Sequence, residues 1–255
     1  MRIGAAGIGR AAWEQRTLTT NILILDAASG AGAVALSADG KLSAQRSLST
    51  PRRQAEEIFP AIEAVLEEGG LRLKDLQAVA VSTGPGAFTS LRVGLTTAKS
   101  LAEEEELPLI GISNMAAVAR LAPGFPSAIL LPASRGEFFL SVATLPPPAE
   151  GAPPRVEPLL AEVELVRPES WLAGLPVPPR YVLSPSAELL DLTAEQLPAE
   201  SRCILIPGNC LPSLAALAQD RYSRAAFDDP LRLDAAYARK GAADKNWQDP
   251  RLVSS

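Results

Sequence analysis

Apolar residues run without interruption through Ile22-Leu23-Ile24-Leu25 to Asp26, and a second run, Val34-Ala35-Leu36, follows a turn of small residues between Ala27 and Gly32. Two such runs joined by such a turn predict a β-hairpin. Asp39-Gly40 is a two-residue hairpin signal, so a third strand is expected over 42–48. After Pro51 the period changes: Ala55, Ile58, Phe59, Ile62, Val65 and Leu66 recur at three- and four-residue intervals, with Arg53 and several glutamates elsewhere. This pattern predicts an amphipathic helix stopped by Gly69-Gly70, with Pro60 marking a kink or a late start. Val79-Ala80-Val81 is apolar throughout, as in a parallel strand covered on both faces.

The segment from Ser82 to Gly94 comes next, S-T-G-P-G-A-F-T-S-L-R-V-G. Pro85 and Gly86 suit the second and third positions of a type II turn, with a left-handed backbone at Gly86, and Thr89 or Ser90 suits the cap of the following helix. Within that helix Phe88, Leu91, Leu95, Ala98 and Ala102 form the stripe expected to face a sheet. Ser90, Gly94, Thr97 and Leu101 form a second stripe, and Arg92, Lys99 and Glu103 share one narrow sector. A helix so widely free of charge is buried on two sides, and Gly94 allows a neighbouring helix to come close. That neighbour is either the chain's own first helix or a helix of another subunit. The acidic run from Glu103 to Glu106 reads as a solvated helix end.

A strand over 107–112 and a helix over 114–121 close the unit near Ala122-Pro123-Gly124. The opening then repeats, with a strand at 129–131, a turn at Ser134-Arg135-Gly136 and a strand at 138–143. Of the 23 prolines, 14 fall between Pro146 and Pro212, where the pattern supports only strands at 181–183 and 204–206. A helix over 214–218 and an irregular tail from 228, anchored by Tyr237, complete the chain. The two similar halves predict an α/β fold of duplicated domains, mixed sheets flanked by helices, over 21–125 and 126–245. Residues 1–20 are expected to be a disordered leader and 246–255 a tail.

Composition narrows the chemistry. The 255 residues contain no histidine, which removes imidazole acid–base catalysis, Ser-His and Cys-His pairs and histidine metal ligands together. A net charge of −5 opposes direct nucleic-acid binding. Cys203 and Cys210 match no zinc spacing and read as reduced, buried thiols. No apolar run is long enough to cross a membrane and Arg10, Glu14 and Arg16 interrupt any signal-peptide core, so a cytoplasmic location is expected. A nucleotide site would use Asp26 to hold a metal-bound water and the Gly84, Gly86 and Thr89 segment to cradle phosphate. That segment lacks the lysine and spacing of a P-loop, and a tight turn packing helix on sheet explains it as well.

Taken together, Ile24-Leu25-Asp26, the Gly84-Pro85-Gly86-Ala87-Phe88-Thr89-Ser90-Leu91-Arg92-Val93-Gly94 string, Leu109-Ile110-Gly111-Ile112-Ser113, Gly136-Glu137-Phe138-Phe139 and Tyr237-x-Arg239 resemble the TsaB family of tRNA threonylcarbamoyladenosine biosynthesis proteins (Gcp-like, YeaZ). The resemblance runs from about 21 to 245 and is strongest in the first half. It departs from the family pattern at Ala27 and Ala28 (usually Thr-Ser), Gln54 (often His), Ser90 (often Gly), Pro132 (Asp) and Ala235 (Pro). The resemblance implies an actin-like ATPase (RNase H-like) fold and a non-catalytic subunit that pairs with a TsaD-like ligase, alongside a TsaE-like ATPase. It also implies helix-to-helix pairing of N-terminal domains, with a ligase or with a second copy, to which Val93, Gly94, Thr97 and Leu101 are expected to contribute. On that reading a large charged residue at position 94 blocks pairing and leaves the monomer folded. ATP and a metal then belong to the partner subunits, tRNA is met only through the complex, and no residue here is catalytic. The alternative is an ATP-binding phosphotransferase or ATPase of the same fold, built on Asp26, Gly84, Gly86 and Thr89.

Overall fold

β1 (Asn21–Asp26) and β2 (Ala33–Ala38) pair antiparallel, and β2 turns through Asp39-Gly40 into β3 (Lys41–Ser47). Asp39 and Gly40 take φ of +49° and +77°, the mirror-image turn whose twist matches that of the flanking strands. α1 (Gln54–Gly69) follows and ends on Gly70 in the left-handed region. Pro60 lies on the exposed face of this helix, which runs through it, so the carbonyl that lacks a donor is on the water side. The structure, a computed structural model, describes residues 19–28, 30, 32–50, 53–144, 159–169, 171–172, 175 and 178–236. Most of the expected leader, the Tyr237-x-Arg239 motif, the tail and part of the proline-rich segment lie outside the described residues.

β4 (Ala78–Gly84) lies parallel to β1, and β5 (Leu109–Ser113) parallel to β4, giving a five-stranded sheet in the order β3-β2-β1-β4-β5. Between them α2 (Phe88–Glu104) covers the sheet, and α3 (Asn114–Ala119) leaves β5. The second half repeats the plan with β6 (Ser127–Pro132), β7 (Phe138–Thr144), β8 (Leu159–Leu160), β9 (Glu164–Val166), β10 (Tyr181–Ser184) and β11 (Arg202–Leu205). Its order is β11-β10-β6-β7-β8, with β9 also on β7; β6, β10 and β11 are parallel, as β1, β4 and β5 are in the first sheet. α4 (Ala187–Ala194) and α5 (Leu211–Ser223) follow β10 and β11 as α2 and α3 follow β4 and β5.

The period of two along each strand sorts these elements into layers. Leu23, Leu25, Val79 and Val81 face α1 and α2, whereas Ile22, Ile24, Ala78 and Ala80 face α3 and α5. In the second sheet Ile129, Leu131 and Leu183 meet α3, and Ala128, Leu130 and Val182 meet α4 and Trp171. The sheets separate near residue 125, yet α5 from the second half packs through Leu211, Leu214, Ala215 and Ala218 on the first sheet.

Several local expectations are corrected. Ala55 and Phe59 of the α1 stripe are exposed, as is Phe88, expected to face the sheet. Phe88 is the first residue of α2, and side chains lean toward the helix start, so its ring overhangs the end of the layer. The cap of α2 is Ala87, which offers no side-chain bond, and Thr89 and Ser90 lie inside the helix. The left-handed residue of the turn is Gly84 (φ +99°) rather than Gly86. Gly86 is required for room, because a Cβ there would overlap the Ala28 carbonyl. α4 was hidden among prolines, and α5 is longer than the expected 214–218.

The segment expected to be a loose tail from 228 is tied to the edge of the first sheet. Asp228 bridges Leu109, accepts the Gly111 N–H at 2.7 Å and pairs with Arg221 at 3.2 Å, while Arg221 also donates to the Gly111 carbonyl. The Ala236 N–H then donates to the Thr83 carbonyl at 2.8 Å. Asp228→Ala strands the Gly111 N–H and removes the carboxylate from the half-buried Arg221 guanidinium, which keeps the Gly111 carbonyl, with an expected cost of about 1–3 kcal/mol. Urea unfolding checks this, against Arg46→Ala at an exposed ion pair, where about 0.5 kcal/mol or less is expected.

Candidate functional site

The carboxyl ends of the parallel strands of both sheets open onto a cleft of about 360 Å³. Ligands of open α/β sheets collect at such strand ends, so this is where a nucleotide would sit. Asp26 lies at the end of β1, 1% exposed, and its Oδ1 accepts the Ala28 N–H at 3.2 Å. The same N–H is 3.4 Å from Ser82 Oγ, so this amide already faces two acceptors. Gly86 lines the cleft too, packed against the β1–β2 turn. Gly84 does not line it, and Thr89 is on the outside of α2, in a different groove. The four residues of the nucleotide alternative therefore do not assemble around one ligand.

The remaining walls are rich in proline and carbon. Pro85, Pro132, Pro185 and Pro207 follow or end β4, β6, β10 and β11 at the cleft, and none of the four has a backbone N–H to offer. Among the described residues no lysine or arginine lines the cleft, and Asp26 adds a negative charge. Nor do any three His, Cys, Asp or Glu side chains among the described residues cluster to hold a metal. The described lining thus offers the charges of a triphosphate and its metal few partners. The prolines were visible individually, but only the fold brings them to one rim.

Cys210, the residue before α5, also lines the cleft. Burial, and secondly the charge of Asp26, push its thiol up to about 12. At pH 8 its thiolate population is on the order of 10³-fold below that of the unfolded chain. Iodoacetamide is expected to modify Cys210 only after unfolding, while exposed Cys203, its thiol raised more modestly by burial and then Asp191, reacts in the native protein; mass spectrometry of peptides checks this. The pH sign follows from the same shift. The folded state favours the neutral thiol, so this contribution to stability is complete below the unfolded value of 9.0 and is lost as pH rises toward about 12.

A second site is an open groove between α1 and α2, floored by Ile58 and walled by Phe59, Phe88, Val93 and Thr97. Phe59 and Phe88 are each 52% exposed, and the Arg92 guanidinium lies 4.0 Å from the Phe88 ring centre. Of the residues expected at a partner interface, Val93 is half-buried on this groove. Gly94, Thr97 and Leu101 are buried by the chain's own elements, and a Cβ on Gly94 would lie 2.7 Å from the Ala27 Cβ. The second neighbour of α2 is therefore α1, and Gly94 serves the close approach of α2 to the end of β1. The sequence reading missed Phe59 and Phe88 as surface groups because their spacing fits a core stripe; only their positions on the finished layer expose them.

The family model described as TsaD, tRNA N6-adenosine threonylcarbamoyltransferase, matches residues 48–143, which include both helices of the groove. The tRNA threonylcarbamoyladenosine biosynthesis proteins TsaB of Escherichia coli and Haemophilus influenzae are each 39% identical, over 39% and 40% of this chain. The match spans 42% of the length of both. The tRNA N6-adenosine threonylcarbamoyltransferase of Syntrophus aciditrophicus is 42% identical over 25% of this chain and 19% of its own. The solved structure of YeaZ from Pseudomonas aeruginosa superposes with a TM-score of 0.68 at 22% identity, covering 86% of this chain and 99% of that one. The fold is accordingly the actin-like one of that protein. No helix of the described residues is long and apolar enough to cross a membrane.

Proposed function

We propose that the chain, which resembles the TsaB (YeaZ) family of Gcp-like proteins, serves tRNA threonylcarbamoyladenosine biosynthesis as a non-catalytic subunit that docks a TsaD-like ligase. The observation that carries this reading is the α1/α2 groove. Two half-exposed phenylalanines on adjacent helices, next to an arginine stacked on one of them, form the kind of aromatic anchor that dominates protein interfaces. The groove lies in the stretch over which the TsaD model matches, so a ligase would bring a similar helix pair to the contact. Two related domains then meet in a four-helix arrangement about an approximate two-fold axis.

The chain supplies docking surface, and the reactive groups, ATP and metal belong to its companions: the ligase and a TsaE-like ATPase. The absence of histidine, and a proline-rimmed cleft lined by no lysine or arginine among the described residues, support this division over a phosphotransferase reading. On this reading tRNA is met by the complex rather than by this acidic chain alone, in the cytoplasm. The test is a sizing column with mass measurement on the chain mixed with the ligase of its own source, beside calorimetry with ATP and magnesium on the chain alone. A one-to-one complex and no heat from nucleotide are expected. Separate elution of the two proteins, or tight ATP binding by the isolated chain, overturns the proposal; a dimer of this chain that the ligase cannot displace does so as well.

A further inference from the structure

We propose that the open edge of β11, with the acidic ridge of α4 beside it, docks an extended cationic segment of a partner protein, one that adds a strand to the second sheet and carries lysine or arginine at alternate positions. β11 is the end strand of that sheet, and among the described residues only β10 pairs with it. Its Arg202 N–H and the following Ile206 N–H donate inward, to the Arg180 and Ser184 carbonyls at the two ends of β10. Backbone groups alternate along a strand, so the N–H and C=O of Cys203 and Leu205 point outward, where no described residue meets them. Pro207 has no N–H and closes the edge. What remains is a short template of donors and acceptors of the kind that an extended peptide completes.

The side chains along this edge decide what the added strand carries. Cys203 lies opposite Val182, which meets α4, so Cys203 and Leu205 share the α4 face of the sheet while Ile204 packs on the other. On α4 the exposed Glu188, Asp191, Leu192 and Glu195 recur at three- and four-residue intervals and form one ridge, opposite the buried Leu189, Leu190 and Thr193. α4 packs on β11, and the Cys203 thiol is raised by burial and then by the charge of Asp191, which sets this ridge beside the edge. None of the three carboxylates is in an ion pair among the described residues. Seven helical residues rise about 10 Å and alternate side chains of a strand stand about 7 Å apart, so two cations of one strand fit along the ridge. Leu192 and Leu205 are each more than half exposed. A lysine or arginine covers such leucines with its methylene stem and brings its head to a carboxylate. A second copy suits the edge less well: antiparallel pairing of two β11 strands puts both α4 helices on one face of the joined sheet, acidic ridge against acidic ridge. The edge belongs to the second sheet, whereas the α1/α2 groove lies on the first, so its occupancy does not depend on the ligase.

Two short amidated peptides, one alternating threonine with lysine and one alternating threonine with glutamate, are titrated into the isotope-labelled full chain, with amide shifts and hydrogen exchange as the readouts. The lysine peptide is expected to bind about tenfold or more tightly than the glutamate one, and to slow exchange of the Cys203 and Leu205 amides about tenfold or more. Asp191→Lys, an exposed change on α4, is expected to weaken that binding about tenfold or more and to leave the fold intact. Leu205→Pro removes an outward N–H and leaves the Ile206 bond to β10 in place, and it is expected to abolish binding at the edge. If Leu205→Pro does not fold, the lysine peptide methylated at its backbone nitrogens makes the same test from the other side, and no binding is expected. Equal binding of the two peptides, no binding of either, or binding that leaves the Cys203 and Leu205 amides exchanging freely overturns the proposal. Protection of those amides that rises with the concentration of the chain alone also overturns it, marking the edge as a contact between copies.

Discussion

Phe59→Glu is expected to weaken pairing with the proposed TsaD-like partner about thirtyfold or more while leaving the monomer as stable as before. The ring is half exposed on α1, so its replacement removes little from the folded chain's own core. At an interface the same ring becomes a buried anchor, and truncating such an anchor costs about 2 kcal/mol or more; a carboxylate adds the cost of desolvating a charge. Phe88→Glu is expected to act in the same direction, though its carboxylate would lie near Arg92 and recover part of the loss. The measurement is a titration of labelled ligase, with a urea unfolding curve to show that the fold is intact. Pairing that both variants leave unchanged would remove the groove from the interface.

Gly94 behaves in the opposite way. On sequence grounds alone, a large charged residue there blocks pairing and spares the monomer; the structure reverses this. A Cβ at position 94 would stand 2.7 Å from that of Ala27, itself buried at the end of β1. Gly94→Ala forces α2 away from the sheet and is expected to cost about 1–3 kcal/mol. Gly94→Glu adds a buried, unpaired charge, bringing the loss to roughly 4–5 kcal/mol, a large share of a domain's total stability. Thermal and urea unfolding of the isolated chain read this directly. A fully stable Gly94→Glu monomer that no longer pairs would restore the earlier reading and overturn the packing described here.

These two positions show where a hydrophobic pattern is informative and where it falls silent. The uncharged face of α2 indicates burial on two sides, and both stripes apart from Phe88 are buried. The pattern does not say whether the covering helix belongs to the same chain, because a leucine or glycine meets either neighbour with the same chemistry. Phe59 and Phe88 carry the right spacing for a core, and they are exposed because the layer ends beneath them. At the Gly84-Pro85-Gly86 turn, composition indicates a tight bend, while only the fold shows that Gly84 is the left-handed residue and that the Ala28 carbonyl leaves no room for a side chain at Gly86.

The amino-acid order by itself determined the hairpins, the strands buried on both faces, the amphipathic α1 and the duplication, since each is a local matter of period, turn residue and polarity. It also removed histidine chemistry outright. Tertiary structure decided what depends on residues far apart in the chain. α5 crosses to the first sheet, Trp171 leaves the proline-rich stretch to pack edge-on against Phe138 at 6.3 Å, and the strap at Asp228 locks onto β5. The same long-range closure gathers prolines from four strand ends around one acidic cleft. Such placements follow from how two sheets and their helices share a volume, which no local window of residues contains.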